Sequence, residues 1–166
     1  DGTVLLLAGG RDEIDRLKSA ELSSITQSGG ESVVVAGYGE VGRTVSEALE
    51  EHGVPYTTVD LRENDGVDVV GDVTDPDVLR AAGIETASAI VLALPDDTLT
   101  EFATLVARDI DPATEVVARA ERTGGIRKAY RAGADYVLSL ATVSGRSIAS
   151  RILTDERILS VDTSVE

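Results

Sequence analysis

Gly37, Gly39 and Gly42 stand in the spacing G-x-G-x-x-G, directly after the apolar run Val33-Val34-Val35 and at the start of a helix-forming stretch. This spacing serves pyrophosphate binding: the first glycine allows a tight turn, the second lets backbone approach the phosphates, and the third lets helix and strand pack closely. The turn Gly37-Tyr38-Gly39-Glu40-Val41-Gly42 would offer a phosphate the unpaired N–H groups and partial positive charge of a helix N-terminus. Spacing alone is a weak sign, because glycine-rich turns are common. Asp60 strengthens it, ending the second apolar run 18 residues after Gly42, close to the ~20 expected of an acid that accepts hydrogen bonds from ribose hydroxyls. A carboxylate there would repel the 2′-phosphate of NADP, so NAD, NADH or another adenosine nucleotide with a free ribose is preferred. Leu61 and Arg62 complete this side of the predicted site, with Arg62 either offsetting the charge of Asp60 or solvated in a loop.

Three further segments would lie along the carboxyl edge of a parallel sheet, where open α/β sheets bind ligands. Asp72 and Val73 follow the third apolar run, and Asp72 either accepts from the adenine amino group or caps the helix beginning near Asp75-Pro76. Leu94 ends the fourth run in Leu94-Pro95-Asp96-Asp97; its backbone can approach the nucleotide while Asp96 or Asp97 caps the next helix. Arg119 ends the fifth run and is either a phosphate or carboxylate partner or half of a local salt bridge. Catalytic groups do not assemble in the same way. His52, the single histidine, falls at the far end of the first helix from the glycine turn, and Tyr130 and Lys128 lack the Y-x-x-x-K order. No Ser–His or Cys–His pair can be formed, and no cluster of His with carboxylates has metal-ligand spacing. The residues thus read as a domain that binds without turnover, with no catalytic residue and no metal ligand assigned.

The elements that must position these residues alternate from residue 32 onward. Strands are predicted at Ser32–Gly37, Pro55–Asp60, Val67–Gly71, Ala89–Leu94, Glu115–Arg119 and Asp135–Leu138, some as continuous apolar runs suited to a sheet covered on both faces. Helices are predicted at Val41–His52, Asp77–Ala82, Thr98–Asp109 and Thr123–Ala132, each stopped by a nearby Gly or Pro. Strand–helix alternation predicts right-handed crossovers and an α/β fold: a Rossmann-like parallel sheet of about six strands with helices on both faces. The length of 166 residues fits one main core with short extensions. With aromatic residues at 3% and no Cys, Met or Trp, that core must be built from Val, Leu, Ile and Ala, and disulfides and zinc–thiolate sites are excluded. No apolar run approaches the ~18–20 residues of a membrane span, which predicts a soluble segment. A net charge of −15 disfavours nucleic acid and anionic lipid as partners. Two lysines against 13 arginines, with acids spread along the chain, read as a surface adapted to high salt; an ordinary acidic cytosolic protein is the alternative.

Taken in order, V-V-V-A-G-Y-G-E-V-G (33–42), T-V-D (58–60), G-D-V-T-D (71–75), A-I-V-L-A-L-P-D-D (89–97), V-V-A-R-A (116–120) and A-G-A-D-Y-V-L-S (132–139) resemble one family over about 120 residues. It is the nucleotide-binding regulatory domain of potassium transport systems, called RCK, KTN or TrkA-N. The resemblance implies a cytosolic domain at the inner face of the membrane that forms homodimers, often rings. It would gate a potassium channel or transporter in response to NAD(H), ATP, ADP or, in some members, divalent cations. It also implies boundaries: the Rossmann-like domain at 32–140, a crossover and dimerisation helix at 141–157, and the start of a following C-terminal-like unit at 158–166. Residues 1–22 resemble the tail of a preceding unit of that kind, joined by the linker 23–31.

Two departures from the family pattern bear on the ligand. Glu40 stands where ATP-responsive members often carry an Arg, which makes ATP less favoured than NAD, ADP or AMP. Thr100 stands where many relatives have Asn, so contacts at that position are not carried over. The expectation is a nucleotide-sensing regulatory domain rather than an enzyme. An NAD-dependent oxidoreductase fragment, or a sensing domain fused to a hydrolase, is the alternative.

Overall fold

The computed structural model describes residues 32–139 and the isolated positions Gly145 and Ala149. The readings of 1–22, 23–31, the crossover helix at 141–157 and the segment 158–166 otherwise lie outside the described residues. Strands are β1 (Val33–Ala36), β2 (Tyr56–Asp60), β3 (Val69–Val70), β4 (Ala89–Leu92), β5 (Glu115–Ala120) and β6 (Tyr136–Ser139). Helices are α1 (Glu40–Glu51), α2 (Pro76–Ala81), α3 (Asp97–Ile110) and α4 (Thr123–Ala132), with a single 3-10 turn at Ile84–Thr86.

The six strands form one sheet in the order β3-β2-β1-β4-β5-β6, and every pair is parallel. From β1 the chain builds outward through β2 to β3, then returns to the other side of β1 and builds β4, β5 and β6 in the opposite direction. Because parallel crossovers are right-handed, that reversal sends helices to opposite faces. The packing agrees. Val33, Val35 and Ala89 pack with Leu49 and Val45 of α1 on one face. Val34, Ala36, Ile90, Leu92, Val116 and Ala118 pack on the other with Leu79, Ala103, Ala107 and Ala129, contributed by α2, α3 and α4. Alternation along β5 separates the layers cleanly, with Val116, Ala118 and Ala120 buried and Val117 and Arg119 less so.

Among the described residues the two faces are covered unequally, by one helix against three. On the α1 side the outer strands leave Tyr136 and Leu138 of β6 43% and 55% exposed. The strand order reverses between β1 and β4, whose carboxyl ends adjoin at one edge of the sheet. This is where such folds take ligands.

Two expected strand ends moved by two residues, the other boundaries by at most one. β3 is only two residues long, because the Val67 N–H is spent on a turn, donating to the Asn64 carbonyl at 3.1 Å. β4 ends at Leu92 rather than Leu94, although Ala93 and Leu94 stay buried at 6% and 5%. The apolar run therefore outlasts the strand.

Candidate functional site

The glycine turn joins β1 to α1, and its three glycines are constrained differently. Gly37 has φ +95°, and a Cβ on it would lie 2.8 Å from the Ala93 carbonyl oxygen. A Cβ on Gly42 would lie 1.8 Å from the Gly37 carbonyl oxygen, so α1 can pack against β1 only without one. Gly39 differs: its backbone is extended, at φ −78° and ψ −161°, and a Cβ there would meet nothing within 4 Å. Two glycines are required by the fold. The third faces open space.

Gly39 is also the N-cap of α1, and no side chain caps that helix. The first N–H groups of a helix lack intrahelical acceptors, so this end can bind an anion. By contrast α2 is capped by Asp75, which accepts from the Asp77 N–H at 2.9 Å, and α3 by Asp96, which accepts from Thr98 and Leu99. Glu40 stands exposed in the first turn of α1, placing one carboxylate beside the anion site. Val41 is partly buried in the same turn.

Asp60, at the end of β2, is tied into this turn. Its Oδ2 accepts from the Tyr38 N–H at 2.7 Å and its Oδ1 from the Arg62 N–H at 2.9 Å. A carboxylate can accept about four hydrogen bonds, so acceptor capacity remains for ribose hydroxyls while the bond to Tyr38 holds the turn. Tyr38 is held from two further sides. The Arg43 guanidinium lies 5.4 Å from its ring centroid, and its hydroxyl lies 2.5 Å from where a Cβ on Gly66 would be. Leu61, beside Asp60, is 70% exposed.

The remaining predicted residues divide. Val73 and Leu94 are 5% exposed with side chains in the core, so a ligand can reach them only through backbone. Asp72 does not cap α2, since Asp75 has that role; instead its Oδ1 accepts from the Thr74 N–H and hydroxyl at 2.9 and 2.7 Å. Those bonds from Thr74, the side-chain one foremost, hold the Asp72 carboxyl below its ordinary value. The open choice for Asp97 is resolved as well. Asp96 caps α3, whereas Asp97 Oδ1 accepts from the Glu121 N–H at 2.7 Å and joins the start of α3 to the end of β5. His52 lies at the opposite end of α1 from the glycine turn, its Nδ1 bonded to the Ala48 carbonyl at 2.7 Å. Thr100 is buried and donates to the Asp96 carbonyl at 3.0 Å, which turns its hydroxyl into the helix.

Of the two readings of Arg119, the local salt bridge is not seen: no carboxylate among the described residues pairs with it. Its Nη1 reaches only the Leu94 carbonyl, at 3.4 Å, and its buried Nε has no partner. A cavity of about 310 Å³ lies farther along the edge, between the N-terminal ends of α3 and α4, lined by Asp96, Asp97, Glu121, Arg122 and Lys128 among others. It does not include the glycine turn.

Sequence reasoning missed Gly66 and Arg43, which fix Tyr38. Asp65-Gly66 was the available signal for the first, as a turn dipeptide.

Residues 33–140 match the family model of the TrkA-N domain. The chain belongs to the TrkA-N family. Over 127 residues this TrkA-N domain is 31% identical to "Probable potassium channel protein 2" of Methanocaldococcus jannaschii, covering 70% of this chain and 37% of that protein. Among solved structures it is similar to the GsuK channel bound to NAD, at 34% identity and TM-score 0.69, covering 76% of this chain and 24% of that one. It is also similar to GsuK bound to ADP, at 32% identity and TM-score 0.70, covering 85% and 38%. The TrkA-N chain thus spans well under half the length of these relatives.

Proposed function

We propose that this domain is a nucleotide-sensing regulatory unit of a potassium channel or transporter, binding NAD or NADH, or alternatively ADP or AMP, on the glycine turn. The observation that carries the reading is Gly39. Packing requires Gly37 and Gly42, but the only thing gained by leaving Gly39 bare is room above an uncapped helix N-terminus. In this reading the turn from Gly37 to Gly42 cradles the phosphates, the N–H groups of Gly39, Glu40, Val41 and Gly42 facing them while those of Gly37 and Tyr38 are spent on Val59 and Asp60, and Asp60 takes the ribose hydroxyls. Leu61 lends its exposed side chain to the adenine face, with Arg62 beside it. Asp72, backbone at Val73 and backbone at Leu94 line the remaining sides. Glu40 opposes a third phosphate, which ranks ATP below the others.

The names of the relatives, channels among them with one bound to NAD and one to ADP, support a regulatory role. The attached or associated partner is a potassium-transporting membrane protein, and the domain works at its cytoplasmic face as a homodimer or a ring of dimers. Among the described residues no helix is long and apolar enough to cross a membrane. Binding regulates by shifting an equilibrium between two arrangements, and can do so only by its difference in affinity for them. No catalytic role is assigned.

Calorimetry at molar salt with NAD, NADH, ADP, AMP and ATP tests the reading. The expected result is saturable binding of NAD or ADP with ATP weaker. Silence with all five would refute it.

A further inference from the structure

Tyr38 meets the loop between β2 and β3 at both of its ends. Its N–H donates to Asp60 Oδ2 at 2.7 Å, where the loop begins. Its ring lies against Gly66, near where the loop ends: a Cβ on Gly66 would stand 2.5, 2.9 and 3.0 Å from the hydroxyl oxygen, Cζ and Cε1 of that ring. Only glycine leaves this room, and at φ +90° the backbone there favours one as well. From α1 the Arg43 guanidinium holds the ring, 5.4 Å from its centroid.

Gly66 is itself fixed. The hydroxyl of Thr58, buried in β2, donates to the Gly66 carbonyl at 2.7 Å and accepts from the Asp68 N–H at 2.9 Å, while Asp68 Oδ2 accepts from the Thr58 N–H at 2.8 Å. The far end of the loop is thereby pinned to the sheet, and the ring seated on it ties the glycine turn to that end. Between the two contacts lie Leu61 and Arg62, the latter's N–H donating to Asp60 Oδ1 at 2.9 Å. The Asp60 carboxylate is thus oriented by one N–H of the turn and one of the loop. A carboxylate held in one plane can accept two vicinal hydroxyls together without first being ordered by them.

We propose that Tyr38 is a positioning residue for ribose recognition: its ring, seated on Gly66, holds the β2–β3 loop against the glycine turn so that the Asp60 carboxylate faces the vicinal hydroxyls of a ribonucleotide. This rests on the nucleotide reading of that turn and adds to it a side chain that acts through Asp60 rather than on the ligand. The phosphates depend on the backbone of the turn. The ribose depends on the ring, so losing the ring costs the sugar contact and spares the phosphate contact.

The test is calorimetry on the full chain and its Tyr38→Leu, Tyr38→Phe and Gly66→Ala variants with ADP and 2′-deoxy-ADP, alongside melting of each unliganded protein. The parent should prefer ADP about tenfold or more, since the deoxy compound leaves the carboxylate one hydrogen bond short. Tyr38→Leu should reduce that preference to less than about threefold, by weakening ADP and leaving 2′-deoxy-ADP within about twofold of the parent. Gly66→Ala, whose Cβ displaces the ring, should do the same although it melts lower. Tyr38→Phe restores the ring and should recover the preference. Equal losses for both ligands in Tyr38→Leu would show a structural residue and overturn the proposal, as would an unchanged preference, or a Tyr38→Phe protein that behaves like Tyr38→Leu. Should Tyr38→Leu fail to fold, Gly66→Ala is judged by the same criteria. A parent that binds both ligands equally would overturn the proposal while leaving a nucleotide on the turn. If the parent chain bound neither, the nucleotide reading itself would fall, and this assignment with it.

Discussion

At the scale of single residues, Gly39 and Gly42 separate binding from folding. A Cβ on Gly39 would face open space, so Gly39→Val should leave the melting temperature close to the parent's while abolishing nucleotide binding. Gly42→Ala should do the reverse. Its Cβ would be forced to 1.8 Å from the Gly37 carbonyl, which should cost about 2–4 kcal/mol of stability. Denaturant melts and calorimetry on the two variants check this; a Gly39→Val protein that binds normally would misplace the site. The glycine spacing and Asp60 were legible in the sequence because local geometry fixes them. The cap of α2 was not: Asp72 and Asp75 both precede Pro76, and only the backbone at Asp75, φ −87° and ψ 118°, decides which carboxylate reaches the first turn. The lack of an acid beside Arg119 among the described residues was also illegible, since it depends on contacts from distant segments.

Among the elements, α1 presents a bare N-terminus at the carboxyl edge of the sheet, while α2 and α3 spend aspartates on theirs. The other end of α3 is held by Arg108. Its Nε donates to the Gly133 carbonyl at 2.8 Å, its Nη1 to the Pro112 and Thr114 carbonyls, and its Nη2 to Asp135. One side chain thereby joins α3, the approach to β5 and the turn after α4, where Gly133 has φ +109°. Arg108→Met should lower stability by about 2–4 kcal/mol, read by urea melts, with little change in nucleotide affinity. Asp111 closes α3 from the same side. The Thr114 hydroxyl, followed by the Ala113 N–H, holds its carboxyl below the ordinary value. A lowered native pKa contributes stability that is present above the ordinary carboxylate value and lost as pH falls through the lowered one. Asp111→Asn should therefore be less stable than the parent at pH 7, with the gap closing below about pH 4 in melts across that range. Element types and order could be read from apolar periodicity and Gly or Pro stops, because one local pattern fixes each. Strand ends could not. Leu94 remains apolar for the core after the ladder has ended, and Val67 looks like strand but is held in a turn.

For the molecule as a whole, the net charge of −15 sets the conditions under which it is stable. Repulsion among surface carboxylates is screened over ~10 Å at 0.1 M salt and ~3 Å at 1 M. Accordingly the melting temperature should rise steadily from 0.1 to 2 M KCl; a flat or falling profile would contradict the reading of a salt-adapted surface. Among the described residues the sheet's uneven coverage leaves Tyr136 and Leu138 exposed on the side that carries α1. Sheet order was within reach of the sequence once strand–helix alternation was recognised, because right-handed crossovers leave few arrangements. Which face the described helices cover more fully depends on packing that no local pattern encodes. The central claim is that an adenosine nucleotide sits at the strand-order reversal, on the turn between β1 and α1. Backbone-amide NMR shifts during titration with ADP test it most directly. The account predicts that the largest shifts fall on Tyr38–Gly42 and Asp60–Arg62. Shifts confined to 121–128, around the separate cavity between α3 and α4, or none at saturating ADP, would contradict it.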